Sequence, residues 1–267
     1  MACGQLKAAL AACEKAVAGR CPETAKACDR HREKWRACEN KAAHPNSTLP
    51  GSTQIISDGH PAACGKHHCV YADALGAAFS WARDHKAVRF GALGWGRDRE
   101  KSVEIQQAQR MAVPSSASAI VEVAAGDAHT ALVDKDGALF MCGSDRWLQL
   151  GQDAFWSKGH VWQREPTLVA SLQRNGVKVV SAACGADHTL ALDTEGRVWG
   201  FGYGEHGQLF GDGQRPFTSP PTISAALSLL SDGGAAKVWA HGHCSCALGR
   251  VSGLWKCYGK CANADPA

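Results

Sequence analysis

No stretch of this 267-residue chain approaches the roughly 18–20 apolar residues that a bilayer-spanning helix needs. A transmembrane span is therefore not expected. The start, Met1-Ala2-Cys3-Gly4-Gln5-Leu6-Lys7, has no secretory signal pattern. It is also a poor Arg- and Ser-rich transit peptide, because Glu14 and paired cysteines come early, although a processed precursor stays open. Charge of one sign is scarce: the formal net charge is +4, with Lys and Arg dispersed. That argues against nucleic acid as a partner. The P-loop, the dinucleotide fingerprint and the hydrolase nucleophile elbow are all missing. No catalytic residue and no cofactor are expected.

Cysteine and glycine are abundant by contrast. Thirteen cysteines are many for a reducing cytosol, and an odd number leaves at least one free, metal-bound or intermolecular. Twenty-nine glycines and nine tryptophans suit an all-β repeat with many turns. The length allows one large domain plus an appendage.

Residues 3–18 read as a helix. Leu6, Leu10, Cys13 and Val17 share one face, alanines fill the rest, and Gly19 is a plausible stop. A second helix can start at Pro22, with Glu23 in its first turn and Cys21, Cys28 and Trp35 seven apart. Cys3 and Cys13 enclose nine residues, as do Cys28 and Cys38. Each pair is then separated by roughly 15 Å along its helix. In an antiparallel hairpin Cys3 would face Cys38, Cys13 would face Cys28, and two bridges could form, leaving Cys21 in the turn. This spacing resembles the twin Cx9C, or CHCH, family. The resemblance implies import into the mitochondrial intermembrane space and oxidation there. Many such proteins are assembly factors or accessory subunits of respiratory complexes.

Residues 43–58, with Pro45, Asn46, Ser47, Thr48, Pro50, Gly51 and Ser52, read as a linker between a hairpin at 1–42 and a repeat domain at 59–267. The repeat aligns directly. One unit carries Gly126, His129-Thr130-Ala131-Leu132, Asp136-Gly137 and Phe140; the next carries Gly185, His188-Thr189, Glu195-Gly196 and Trp199. The two glycines Gly126 and Gly185 are 59 residues apart. A weaker unit has Gly65, His68, Gly76 and Phe79, and a degraded one has Cys244, Cys246, Gly253 and Trp255, with Cys244 in the histidine position. Each unit reads as two short strands joined by a turn in which glycine supplies positive φ. Gln149-Leu150-Gly151 and Gly207-Gln208-Leu209-Phe210-Gly211 add a second turn signature. His129 and His188 are expected to be structural, bonding a neighbouring turn or backbone, and Trp199 and Trp255 to pack between blades.

These units resemble the RCC1 family of β-propellers, best over 177–213 and 121–151. The resemblance implies a partial or irregular propeller, since closed family members usually have seven blades and about four units fit here. Cys142-Gly143 stands for the usual Trp-Gly, and Phe210 interrupts the Gly-Gln-Leu-Gly run. Segments 97–120 and 154–176 are candidates for completing the array.

Two clusters have ligand chemistry: His60, Cys64, His67, His68 and Cys69; and His241, His243, Cys244, Cys246, Cys257 and Cys261. Neither shows a clean pair of zinc-type spacings, so disulfides or ordinary burial compete and no metal is expected. Cys244-Ser245-Cys246 as a redox pair lacks a thioredoxin context. The leading expectation is a non-catalytic accessory subunit of a mitochondrial inner-membrane respiratory complex. It would be peripheral to that membrane, in the intermembrane space. The alternatives are a mitochondrial ribosome or ATP synthase subunit, a soluble RCC1-like binding or exchange-factor module, and a thiol oxidoreductase.

Overall fold

The computed structural model describes residues 61–96, 107–152, 162–211 and 216–261. The expected helical hairpin, with Cys3, Cys13, Cys28 and Cys38, and the linker at 43–58 lie outside them. Pro61–Ala267 forms one compact unit.

Its described strands make four antiparallel sheets, each a blade. Blade one contains β1 (Ala62–Cys64), β2 (His68–Ala72), β3 (Ala78–Ala82) and β4 (Gln109–Arg110). Blade two contains β5 (Ile120–Ala125), β6 (His129–Asp134), β7 (Leu139–Ser144) and β8 (Trp162–Leu168). Blade three contains β9 (Val179–Cys184), β10 (His188–Asp193), β11 (Val198–Tyr203) and β12 (Phe217–Ile223). Blade four has three described strands: β13 (Ala235–His241), β14 (Cys244–Gly249) and β15 (Trp255–Gly259). Within segments 97–120 and 154–176, the described residues supply outer strands β4 and β8 and a short helix (Ala170–Arg174).

Three apolar cores lie between successive blades. Val70, Ala78, Leu132 and Phe140 join blades one and two. Ala131, Met141, Ala182 and Trp199 join two and three. Leu190, Val198, Ala235 and Ala247 join three and four. Because a middle blade is covered on both sides, β6, β7 and β10 are buried along their full length. In contrast β13 exposes most of its residues.

Among the described residues, backbone bonds fasten the two later junctions at both ends of the strands and the first junction at one end. Towards one end, Asp127 N–H donates to Gly185 O (3.2 Å) and Ala186 N–H to Gly242 O (2.7 Å). Towards the other, the turn glycines accept from the next blade: Ile120 N–H to Gly76 O, Val179 N–H to Gly137 O and Ala235 N–H to Gly196 O, each 2.9 Å. Gly137 and Gly196 have φ of 86° and 82°, a region that excludes most side chains.

An aspartate that sequence reading missed shapes those turns. Asp73, Asp134 and Asp193 each accept two backbone N–H groups with Oδ1, from residues two and four further on. An Asp three residues before the turn glycine in each unit was the available signal. In blade four Gly249 occupies this place, and Asp232 reaches in from elsewhere to accept Ser252 N–H at 2.8 Å.

Candidate functional site

The repeat histidines come first, because they look chemical. His68 Nε2 lies 2.6 Å from Thr130 Oγ1, His129 Nε2 3.0 Å from Thr189 Oγ1, and His188 Nε2 2.7 Å from Ser245 Oγ. Each histidine therefore reaches a hydroxyl of the following blade, rather than a turn or backbone as expected. Such a pair resembles a base and its nucleophile, yet three observations argue against that role. All three histidines are fully buried. Thr130 and Thr189 already donate to Ala92 O and Gln149 O at 2.7 and 2.8 Å, so the imidazole Nε2 must be the donor. Nδ1 of each has no hydrogen-bond partner, whereas a catalytic histidine needs an orienting group there. Burial pushes the imidazoles down to about 3 for His68, about 4 for His129 and about 3 for His188. They are neutral inter-blade latches.

Gly126 and Gly185 permit the close approach. A Cβ on Gly185 would collide with the His188 ring, and one on Gly126 with Gly185 O and the His129 ring. Trp199 is buried in the core between blades two and three, and its Nε1 donates to Asp193 Oδ2 (2.9 Å). Burial works against the Asp193 charge, but Trp199 and Arg197 hold its carboxyl below the ordinary range. Trp255 is different: it sits opposite Leu248, where Val198 sits opposite Leu192, and is 46 % exposed. It is not an inter-blade packing residue among the described contacts, because the insertion before Gly253 shifts Lys256 into the place of Trp199.

The cysteine and histidine clusters also resolve. Cys64–Cys69, Cys244–Cys261 and Cys246–Cys257 are disulfides. His60 lies outside the described residues; among the rest of the first cluster, His67 Nδ1 meets Asp84 Oδ2 at 2.6 Å and His68 is a latch, so these do not converge. Cys142 and Cys184 are free and buried, which pushes both thiols up, Cys184 to about 12.

The surface with recognition chemistry lies at the ends of the strands and was not singled out from sequence. Trp147 follows β7, Tyr203 ends β11, His206 lies in the β11–β12 loop, Phe217 begins β12, and His243 lies in the β13–β14 turn. Trp147 stacks on Phe217 (centroids 5.4 Å, 6° between planes) and lies 5.4 Å from Tyr203. Tyr203 touches His206 and His243, which are 4.9 Å from each other. Arg146 lies 5.2 Å over Trp147. One aromatic group thus spans blades two, three and four.

Buried Gln149 and Gln208 present it. Each accepts, through Oε1, the N–H of the residue two before: Trp147 at 2.8 Å and His206 at 3.0 Å. The turn also needs positive φ just before the glutamine, met by Gly207 (80°) and by Leu148 (66°). Trp147 and His206 therefore occupy one repeat position, and that equivalence was the missed signal. Charges of both signs flank the aromatics. Lys66 pairs with Asp127 at 3.5 Å, and burial, with Asp127 next, raises the Asp187 carboxyl. Aromatic rings beside an arginine and mixed charges suit protein recognition.

The repeat description "Regulator of chromosome condensation (RCC1) repeat" matches residues 136–192, and a second description of the same name matches 120–146 and 179–208. The human "Probable E3 ubiquitin-protein ligase HERC4" is 33 % identical over 148 residues, covering 55 % of this chain and 12 % of the relative. The "RCC1 domain-containing protein RUG3, mitochondrial" of Arabidopsis thaliana is 30 % identical over 198 residues, covering 73 % of this chain and 40 % of the relative. Among solved structures, yeast RCC1 (Prp20) bound to Kap60 aligns with a TM-score of 0.60 at 19 % identity, covering 78 % of this chain and 45 % of that one. The chain thus carries RCC1 repeats in an RCC1-like β-propeller arrangement, and spans less than half the length of these relatives.

Proposed function

We propose that this chain is a non-catalytic, protein-binding module, with the aromatic surface of Trp147, Tyr203, His206, Phe217 and His243 as its contact face. This corresponds to the soluble RCC1-like module anticipated as an alternative. It displaces the respiratory-complex accessory subunit as the leading reading. The observation that carries it is the aromatic group bridging three blades while the buried histidines are committed to latching them. The ligase function in the name of the HERC4 relative does not transfer, because the match covers only 12 % of that protein.

The test is purification of the full chain and of Trp147→Ala and Phe217→Ala variants from the same cells, followed by reconstitution with the co-purifying protein. Calorimetry should show Kd rising about 30-fold for Trp147→Ala, an interface-centre loss of about 2 kcal/mol. Unchanged affinity for both variants would sink this surface as the contact face.

A mitochondrial intermembrane-space address is a second, subordinate proposal. The paired cysteine spacing of Cys3, Cys13, Cys28 and Cys38 favours it, and the RUG3 relative is named as mitochondrial. Protease protection of the chain in intact mitochondria, lost when the outer membrane is ruptured, is the expected result. Recovery in the cytosol or nucleus would remove it.

A further inference from the structure

The outward face of blade four departs from its counterparts at every central position. The strand registers give the equivalences. Ala124 and Ala183 correspond to Trp239, and Gly126 and Gly185 to His241. His129 and His188 correspond to Cys244, Ala131 and Leu190 to Cys246, and Met141 and Gly200 to Cys257. In blades two and three these positions receive the next blade. In blade four they hold tryptophan, histidine and three cysteines, and Cys261 just beyond β15 adds a fourth cysteine.

The sulfurs converge. Sγ of Cys244, Cys246 and Cys261 all lie within 4.8 Å of one another, and Cys257 is bonded to Cys246. Cys244 Sγ and Cys246 Sγ, which are not bonded to each other, are 3.8 Å apart. Four thiolates at Zn–S distances of about 2.3 Å form a tetrahedron with edges of about 3.8 Å. One edge is therefore already at zinc-site length, two more are closed by the bridges, and the Cys246–Cys261 edge is within 4.8 Å. Adjacent strands hold the cysteines: Cys246 lies directly opposite Cys257, and Cys244 opposite Gly259, two residues before Cys261. Among the described residues Cys64–Cys69 has no such company, since His67 and His68 are engaged elsewhere.

We propose that Cys244, Cys246, Cys257 and Cys261 form a four-thiolate site that takes one zinc ion when its two bridges are reduced. The terminal blade then has two alternative staples, a disulfide pair or one metal, selected by the redox poise around it. The exchange balances as follows. Two equivalents of a dithiol reductant open Cys244–Cys261 and Cys246–Cys257, giving four thiols and two cyclic disulfides of the reductant. Zinc(II) then binds the four sulfurs and releases four protons. Either staple ties β14 to the chain beyond β15, so the blade keeps its contact with blade three through Ser245 and Ala247.

The experiment uses the full chain, prepared anaerobically in dithiol with zinc and again under oxidising conditions, with metal measured by elemental analysis. The wild-type chain should hold one more zinc when reduced than a Cys246→Ser/Cys261→Ser variant. Five cysteines precede Cys64 and are common to both chains, so the difference isolates this site. Cobalt(II) in place of zinc should give the intense thiolate charge-transfer band and split visible bands of a tetrahedral four-sulfur site, and the variant should lose them. The oxidised chain should lack this zinc, with both bridges found by peptide mapping. Equal zinc in the reduced wild type and the variant, or a reduced wild type whose near-ultraviolet dichroism is native without zinc, would overturn the proposal. Should the variant misfold, Cys257→Ala replaces it in the same cobalt comparison: a four-sulfur spectrum unchanged by that substitution, or weak octahedral bands in the wild type, rejects the site.

Discussion

The junction between blades two and three and the outer face of blade four use the same repeat positions for opposite ends. At the junction those positions are glycine, alanine and histidine, which let two sheets approach closely and fasten to each other. On the outer face they are tryptophan, histidine and three cysteines, which fill space and bond to one another or to Cys261 just beyond. Another blade could not approach that face in the same way, because His241 stands where a Cβ is not tolerated at Gly185 and no latch histidine is present. The difference teaches that a repeat position is defined by its neighbour across the junction. Where that neighbour is of another kind, the residue changes even though the strand does not.

The comparison breaks most sharply at Gly185. Gly185→Val should destabilise the unit by more than about 4 kcal/mol, since the side chain has nowhere to go between His188 and the next blade. Gly242→Ala should cost far less sterically, because nothing lies within 4 Å of its added Cβ, and positive φ there leaves only backbone strain. Equal denaturation midpoints for the two variants would contradict the close-approach account.

Next in size are the staples. Under oxidising conditions Cys244→Ser/Cys261→Ser removes a bridge spanning 17 residues and should lower stability by about 3 kcal/mol in guanidinium titration. The latch comes third. Thr189→Val leaves His129 without its acceptor and should cost about 2 kcal/mol, whereas the His129→Ala/Thr189→Ala pair should show a coupling energy of about 1 kcal/mol.

The smallest effect per unit change is that of pH, and its direction is fixed. His68, His129 and His188 have folded values of about 3, 4 and 3 against an ordinary 6.5. Between roughly pH 4 and 6.5 the unfolded chain binds more protons, so stability rises with pH across that window and is lost as pH falls below 6.5. Each histidine contributes about 1.4 kcal/mol per pH unit at most. Replacing His129 by Gln should reduce the slope by about one histidine's share in urea titrations at pH 5 and 6. Asp145, raised by burial to about 7, acts in the reverse sense above its ordinary carboxylate range.

Much of this arrangement was readable beforehand. The Asp136-Gly137 and Glu195-Gly196 dipeptides marked turns whose geometry is local, so four residues suffice to imply it. The latch partners were not readable, because Thr130 is adjacent to His129 in sequence but points to the other side of its strand. The hydroxyl that His129 reaches is 60 residues on. The aromatic face was hidden for a related reason: Trp147, Tyr203, His206, Phe217 and His243 come from five separate places and meet only through three blades. The terminal cysteines were visible as a cluster, yet their pairing depends on the register of β14 with β15.

Asp232 has a consequence for how such chains are recognised. Three turns take their carboxylate from a fixed place in the repeat, and the fourth takes it from a short helical turn before its own blade begins. Ser252 Oγ adds a second contact to the same carboxylate, at 2.5 Å. The anion has changed its address in the chain while keeping its position in space. A column-by-column alignment scores that as decay, and the fourth unit as degenerate. Counting blades by the provenance of their chemical groups, instead of by identity at aligned positions, restores it as a complete turn built from borrowed parts.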